Sequence, residues 1–246
     1  MPDARHRRRL LLFTKPARAG RVKTRLIGDL TAAQAAELHA AFLADLLARL
    51  SCGSFGLDLA WAVEPDEAAP EGFWPGVGSV RQVGADLGER LYAALAEAAA
   101  GAAAVAALGS DHPTIEVALV ERAFAAVEGG AQVVLGPAED GGYYLIALAA
   151  GAVRRRLFEE VPWSTPGVLA ATLARCAELG LTVELLPAAA DVDTPADLAR
   201  LSSCLAADGQ QAASCPRTRR LLASWRRLPL VEAGAEPQAA ATGRRR

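Results

Sequence analysis

Acidic and basic side chains interrupt the apolar runs of this chain at a few places, and their types are those that handle phosphate and divalent cations. Leu108-Gly109-Ser110-Asp111-His112-Pro113 ends an apolar run on a carboxylate and then stops it with a proline. An aspartate so placed lies at the carboxyl end of a buried strand, where open α/β sheets bind their ligands. Lys15 to Leu26 concentrates cations directly after another apolar run. Gly20 lets the backbone approach a ligand closely, Lys15 and Lys23 supply point charges, and Arg25 supplies a forked donor suited to phosphate oxygens. The G-x-x-x-x-G-K-[ST] spacing of a Walker loop is absent, and a plain solvated basic loop is the other reading of the segment.

Asp191-Val192-Asp193-Thr194-Pro195 places two carboxylates on one side of an extended segment, with Val192 on the other. Hard oxygen donors of this kind suit Mg²⁺ or Mn²⁺. Both acidic segments also allow simpler roles: Asp111 or Ser110 could cap the helix after Pro113, and Asp193 or Thr194 the helix that Pro195 opens. A fourth segment, Pro137-Ala138-Glu139-Asp140-Gly141-Gly142-Tyr143-Tyr144, is an acidic turn between strands, with Asp140 placed to accept from substrate hydroxyls. The fifth, Gln82 to Arg90, has Gly84 for close backbone approach and Gln82 or Asp86 to read a polar edge. Trp163-Ser164-Thr165 precedes a helix, where the ring could wall an acceptor pocket or pack, and either hydroxyl could cap.

The elements that must position these residues follow from periodicity. Strands are expected at 10–14, 57–63, near 80, and at 103–108, 133–136, 143–148 and 182–186. Helices are expected from Thr31, where Thr31 and Gln34 spell a capping box, and at 87–100, 116–127 and 165–179. This alternation predicts an α/β fold, a single Rossmann-like domain whose central sheet is mostly parallel with helices on both faces. The domain should span 10–206, between a basic extension at 1–9 and a C-terminal extension at 207–246 that is partly disordered, apart from a short helix at 218–228.

With 246 residues, 52% of them hydrophobic and 22% charged, the chain can bury one sizeable core. A formal charge of −2 provides no basic field for nucleic acid, and Arg5 to Arg9 and Arg244 to Arg246 read as solvated ends. The four cysteines form no C-x-x-C pair, so a reduced, cytoplasmic setting without disulfides or a zinc knuckle is expected. The apolar run at 10–13 is too short for a signal peptide, and no stretch reaches the length of a membrane span.

In combination, Lys15-Pro16, Gly20-x-x-Lys23-Thr24-Arg25-Leu26, Gln82-x-Gly84-x-Asp86-Leu87-Gly88-x-Arg90, Gly109-Ser110-Asp111-x-Pro113, Pro137-x-x-Asp140-Gly141-Gly142-Tyr143-Tyr144-Leu145 and Asp191-x-Asp193-Thr194-Pro195-x-Asp197-Leu198 resemble a bacterial family of the nucleotide-diphospho-sugar transferase superfamily, the glycosyltransferases of the arsenosugar-biosynthesis type. The resemblance spans about 10–201 with the motifs in order. It implies a GT-A fold that binds a nucleotide diphosphate and a divalent metal. The layout is also similar to the guanylyltransferases that activate phospholactate or phosphoenolpyruvate, and more distantly to molybdenum-cofactor guanylyltransferases. In the phospholactate group the counterparts of Asp111, Asp191 and Asp193 hold the metal. His112 stands where the glycosyltransferase family has cysteine, and it is left outside the metal set.

The expected chemistry is therefore a metal-dependent transfer from a nucleotide sugar or a nucleoside triphosphate to a small-molecule acceptor. Mg²⁺ or Mn²⁺ would sit on Asp111, Asp191 and Asp193, Lys15, Lys23 and Arg25 would neutralise phosphate charge, and Asp140 would be the base, ahead of Glu139 or Glu160. The nucleotide would lie against Gly20, Thr24, Gln82, Gly84, Asp86, Gly109, Ser110, Gly141 and Gly142. Glycosyl transfer is preferred to nucleotidyl transfer on the family label. A catalytically silent nucleotide-binding module is the reading from another class.

Overall fold

Alternate residues of the buried strands face two different cores, which is why their sequences read as unbroken apolar runs. In a computed structural model that describes residues 7–206 and 213–227, Leu10, Leu12, Ala106 and Leu108 enter one core, while Leu11, Val105 and Ala107 enter the other. The elements in chain order are β1 (Arg8–Thr14), a 3-10 turn (Thr24–Leu26), α1 (Ala32–Leu50), β2 (Gly56–Trp61), β3 (Gly78–Arg81), α2 (Leu87–Ala99), β4 (Ala104–Gly109), α3 (Val117–Glu128), β5 (Val133–Pro137), β6 (Tyr143–Ala149), α4 (Val168–Glu178), β7 (Val183–Leu185), α5 (Pro195–Ala206) and α6 (Pro216–Arg227). Short 3-10 turns at Ala150–Ala152 and Arg155–Phe158 follow β6.

The seven strands form one sheet in the order β3-β2-β1-β4-β6-β5-β7. All neighbours are parallel except β6, which runs antiparallel to both β4 and β5. From β1 the chain winds outward through β2 and β3, then returns to place β4 on the other side of β1. The order reverses between these two strands, and the crevice outside their carboxyl ends is where such sheets bind ligands. Helices α1 and α3 cover one face through residues such as Leu46 and Phe124, and α2 and α4 cover the other through residues such as Leu95 and Cys176.

The element types match the sequence reading, with local shifts that have identifiable causes. Thr31 and Gln34 close the expected capping box at the start of α1. Helix α4 begins at Val168 rather than Thr165, because the Thr165 hydroxyl accepts from the amide of Gly167 (3.2 Å) and holds 165–167 in a turn. The C-terminal helix begins two residues before the expected Thr218. Its first amides, at Arg217 and Thr218, donate to the wholly buried carboxylate of Asp45 on α1 (3.1 and 2.8 Å), a cap supplied from 172 residues away. The expectation of disorder at 207–246 falls in part on 207–212 and 228–246, outside the described residues, whereas 216–227 are an ordered helix.

A third, smaller core lies beside the sheet. Leu26 of the cation-rich loop, Leu38 and Phe42 of α1, Val192 of the acidic segment, Leu201 and Leu205 of α5, and Cys215 and Leu222 at α6 pack together there. Arg49 fastens the same region, its Nε donating to the carbonyl of Ile115 (2.7 Å) and its Nη2 to that of Pro113.

Candidate functional site

Three chain segments meet at the carboxyl ends of β1 and β4. Phe13 and Gly109 are neighbours in register at these ends, so Asp111 emerges beside the loop that follows β1. The segment after β7 is brought to the same place by backbone hydrogen bonds. Ala189 donates to the carbonyl of Pro137 (3.0 Å), Glu139 to that of Ala189 (3.2 Å), and Val192 to that of Asp111 (3.0 Å).

Lys23 stands at the centre. It heads the 3-10 turn with φ 48°, a left-handed conformation uncommon for a lysine. Its side chain is 1% exposed. The ammonium donates to the carbonyl of Val192 (2.6 Å), pairs with Asp111, lies 3.8 Å from Asp193 and sits over the Phe42 ring at 5.6 Å. Arg25 Nη1 reaches the other oxygen of Asp193 at 3.0 Å. Burial by itself would raise the Asp111 carboxyl, but the Lys23 charge and hydrogen bond, with smaller contributions from His39 and His112, hold it below its ordinary range. Asp191 moves the other way: burial, then the charges of Asp140 and Asp193, raise it.

A cavity of about 500 Å³ opens beside this cluster. Arg25, Asp111, His112, Asp140, Asp191 and Asp193 line it, together with Gly109 and Gly142. Asp140 Oδ1 accepts from the amide of Gly142 (2.9 Å), which fixes the turn and leaves Oδ2 without a hydrogen bond among the described residues. Four carboxylates thus stand against two cations, one of them buried, and leave the site with an excess of negative charge. That donor chemistry fits a hard divalent cation. The carboxylates are not yet gathered around a common point: among the described residues no group of three or more His, Cys, Asp or Glu is arranged to hold a metal ion, and Lys23 stands between Asp111 and Asp193.

The other expected residues lie elsewhere, each with a local occupation. Lys15 is exposed, its carbonyl accepting from His39 Nε2 (3.0 Å). Gly20 and Thr24 are on the exposed side of the loop, and Ser110 is buried beside the cavity without lining it. Gln82 donates to the carbonyl of Ala60 (2.8 Å), and Asp86 caps α2 by accepting from the amide of Glu89 (2.8 Å). Gly84 is required by packing, since a Cβ there would lie 2.6 Å from the Cβ of Glu89 and 2.7 Å from the amide nitrogen of Arg90. Gln82 thus ties the segment to β2, Gly84 and Asp86 serve the start of α2, and none of the three lines the cavity. Glu160 pairs with Arg156 and Arg175, and Glu139 with Arg200, all outside the lining.

The competing cap readings are also settled. Helix α3 starts at Val117 with no side-chain cap, so Asp111 is not one. At α5 the Thr194 hydroxyl caps the helix, as one of the two readings expected, by accepting from the amide of Asp197 (3.4 Å); Asp197 in turn accepts from the amides of Asp193 (3.1 Å) and Thr194 (2.7 Å), while Asp193 faces the two cations. Burial would raise Asp197, but its bonds from Thr194 and Asp193 and the charge of Arg200 outweigh it and lower the group. A carboxylate depressed in the folded state contributes stability above the ordinary value near 3.9, and that contribution is lost as pH falls through the folded value. Urea unfolding of Asp197→Asn should show a loss of about 1 kcal/mol at neutral pH that shrinks in acid. A loss of equal size at pH 2 would contradict the assignment.

His39 has no counterpart in the sequence reading. It is buried in α1, its Nε2 3.1 Å from Thr14 Oγ1, and its Nδ1 has no partner among the described residues. Burial pushes it below its ordinary value, against the charge of Asp111. Nothing in a lone histidine on an amphipathic helix marked it out. His112 does line the cavity, with Nδ1 3.1 Å from the carbonyl of Ala190 and its ring against Tyr144.

Comparison with known proteins bears on this arrangement. Residues 46–165 match a family described as uncharacterized and conserved in bacteria, DUF2064. A protein of Desulfovibrio desulfuricans, provisionally assigned as a nucleotide-diphospho-sugar transferase, has a crystal structure similar to this one, with a TM-score of 0.78 and 29% identity over 89% of this chain and 97% of that one. Similarity extends to CMP:2-keto-3-deoxy-manno-octonic acid synthetase complexed with CTP, at a TM-score of 0.52 and 15% identity over 81% of this chain and 98% of that one. It extends also to the 4-diphosphocytidyl-2C-methyl-D-erythritol synthase of Anaerococcus prevotii, at 0.54 and 10% over 83% and 98%. The chain matches none of the curated proteins. The fold is that of the nucleotide-diphospho-sugar transferases. Among the described residues no helix is long and apolar enough to cross a membrane.

Proposed function

We propose that the protein is a transferase that uses a nucleotide, with its reaction in the cavity at the β1 and β4 ends. The observation that carries this reading is the convergence of Lys23 and Arg25 with Asp111, Asp191 and Asp193 at the switch point of the sheet. The likeness to nucleotide-using transferases supports it.

Within that class the reaction is the transfer of a sugar from a nucleotide sugar to a small-molecule acceptor, as the motif resemblance to the arsenosugar-type glycosyltransferases suggests. Asp140, with one oxygen tied to the Gly142 amide and the other available, is the base for the acceptor hydroxyl. Arg25 and Lys23 stabilise the negative charge of the departing nucleoside diphosphate. Asp111, Asp191 and Asp193 would hold Mg²⁺ or Mn²⁺, which when bound supplies charge that the acidic lining lacks for a diphosphate. Nucleotidyl transfer is the second reading, favoured by the fold shared with a synthetase complexed with CTP; the same cations would then face the α-phosphate and departing pyrophosphate.

Thermal melting with UDP-, GDP- and TDP-sugars, GTP, CTP and ATP, each with Mg²⁺ or Mn²⁺ and then with chelator, tests the proposal. A ligand at a hundred times its Kd adds about 2.7 kcal/mol, or roughly 5–10 °C in a chain of this size. A rise with one nucleotide sugar that chelator removes supports glycosyl transfer, and a rise with a free triphosphate selects nucleotidyl transfer. No nucleotide-dependent rise in any mixture refutes both.

A further inference from the structure

The charged cluster accounts for only one wall of the cavity. The opposite wall rises on the other face of the sheet. Phe13, Ala107 and Ile146 project there from β1, β4 and β6, and Leu87 and Leu91 approach from α2. Trp163 closes the chamber, its indole edge set so tightly against Gly88 that a Cβ on that glycine would lie 2.3 Å from Nε1. The same ring meets Tyr143 edge-on, with centroids 6.3 Å apart.

Apart from Ser164, which is exposed beside Trp163, polar groups are few on this wall. The hydroxyl of Tyr143 is buried beside that of Thr172, and that of Thr165 is spent on the carbonyl of Pro162 (2.7 Å). A polyhydroxylated molecule placed here would leave most of its hydroxyls unpaired, whereas an apolar body would replace water against aliphatic and aromatic surface. We infer that the second substrate, on the nucleotide-transfer reading above, is a small alcohol with a compact aromatic or branched aliphatic body. The body lies between Leu87, Leu91, Ile146 and Trp163, and the hydroxyl points toward Asp140 at the charged wall.

Saturation-transfer NMR on the full chain tests this with benzyl alcohol and 3-methylbutanol as probes, and glycerol and glucose as polar controls. The two apolar alcohols should receive at least five times the transfer of either control. Leu87 is 41% exposed at the first position of α2, where an aspartate suits the helix. Leu87→Asp should therefore fold, yet cut benzyl alcohol transfer at least fivefold, while Leu87→Met keeps it within twofold. Equal transfer to glycerol, or no effect of Leu87→Asp, overturns the inference. Nucleotide melting shifts on the same samples separate the two claims: a shift without benzyl alcohol binding defeats only the acceptor assignment, and benzyl alcohol binding without any nucleotide shift defeats the transferase reading and leaves the apolar subsite standing.

Discussion

Lys23→Met should lower stability by about 2–3 kcal/mol and weaken nucleotide-dependent stabilisation at least tenfold. Removing one member of a buried ion pair strands the other, a loss of about 3–5 kcal/mol when both are sealed from water. Here Lys23 is sealed, but the Asp111 side chain keeps 49% of its surface open toward the cavity, so water offsets part of the loss. Methionine preserves the packing against Phe42 and removes only the charge and the bond to Val192. Lys23→Arg separates charge from fit: a guanidinium is too large for a niche bounded by a carbonyl, two carboxylates and a ring, so the stability defect should persist. Urea unfolding and nucleotide melting shifts provide the two readouts. A change under 0.5 kcal/mol in Lys23→Met would show that the lysine is not the keystone of the cluster.

The second large effect is expected at the turn that carries Asp140. Gly141 has φ +89°, and a Cβ there would lie 2.3 Å from the carbonyl oxygen of Pro166 and 2.7 Å from its Cα. The turn is also tied to α4 by the amide of Leu169, which donates to the carbonyl of Gly141 (3.0 Å). Gly141→Ala combines about 1 kcal/mol for a left-handed backbone with about 1–3 kcal/mol for backbone overpacking. Gly20→Ala is the matched control, because Gly20 has φ +75° with nothing within 4 Å and should lose only the conformational part. Equal losses in the two variants would show that the 141–166 contact is slack.

Strand identity was legible from sequence because both faces of β1, β4 and β6 are buried and their apolar runs end at polar punctuation. The capping box at Thr31 was legible for a similar reason, as its signal lies within four residues. What sequence could not reveal is which polar residue meets which. Asp86 and Asp197 spell the same acidic punctuation as Asp111 and Asp193, yet the first two cap helices and the last two face Lys23. Only the sheet order decides this, by carrying 189–193 past 137–140 to the end of β4. Gly84 carries the same ambiguity, since the packing at the start of α2 requires a glycine there whether or not a ligand approaches.

The third core has a consequence for how the protein is made. The carbonyl that Lys23 holds belongs to Val192, 169 residues later in the chain, and the core that steadies both includes Cys215 and Leu222. A nascent chain can pair β1 with β2 and β4 well before then, and domains do fold in this order during synthesis. Its lysine, however, has neither the Val192 carbonyl nor Asp193 until nearly nine-tenths of the described chain has been translated. The charged cluster therefore closes only after Val192 and Asp193 have emerged, and a nascent chain that stops short of them carries a sheet whose Lys23 lacks both partners.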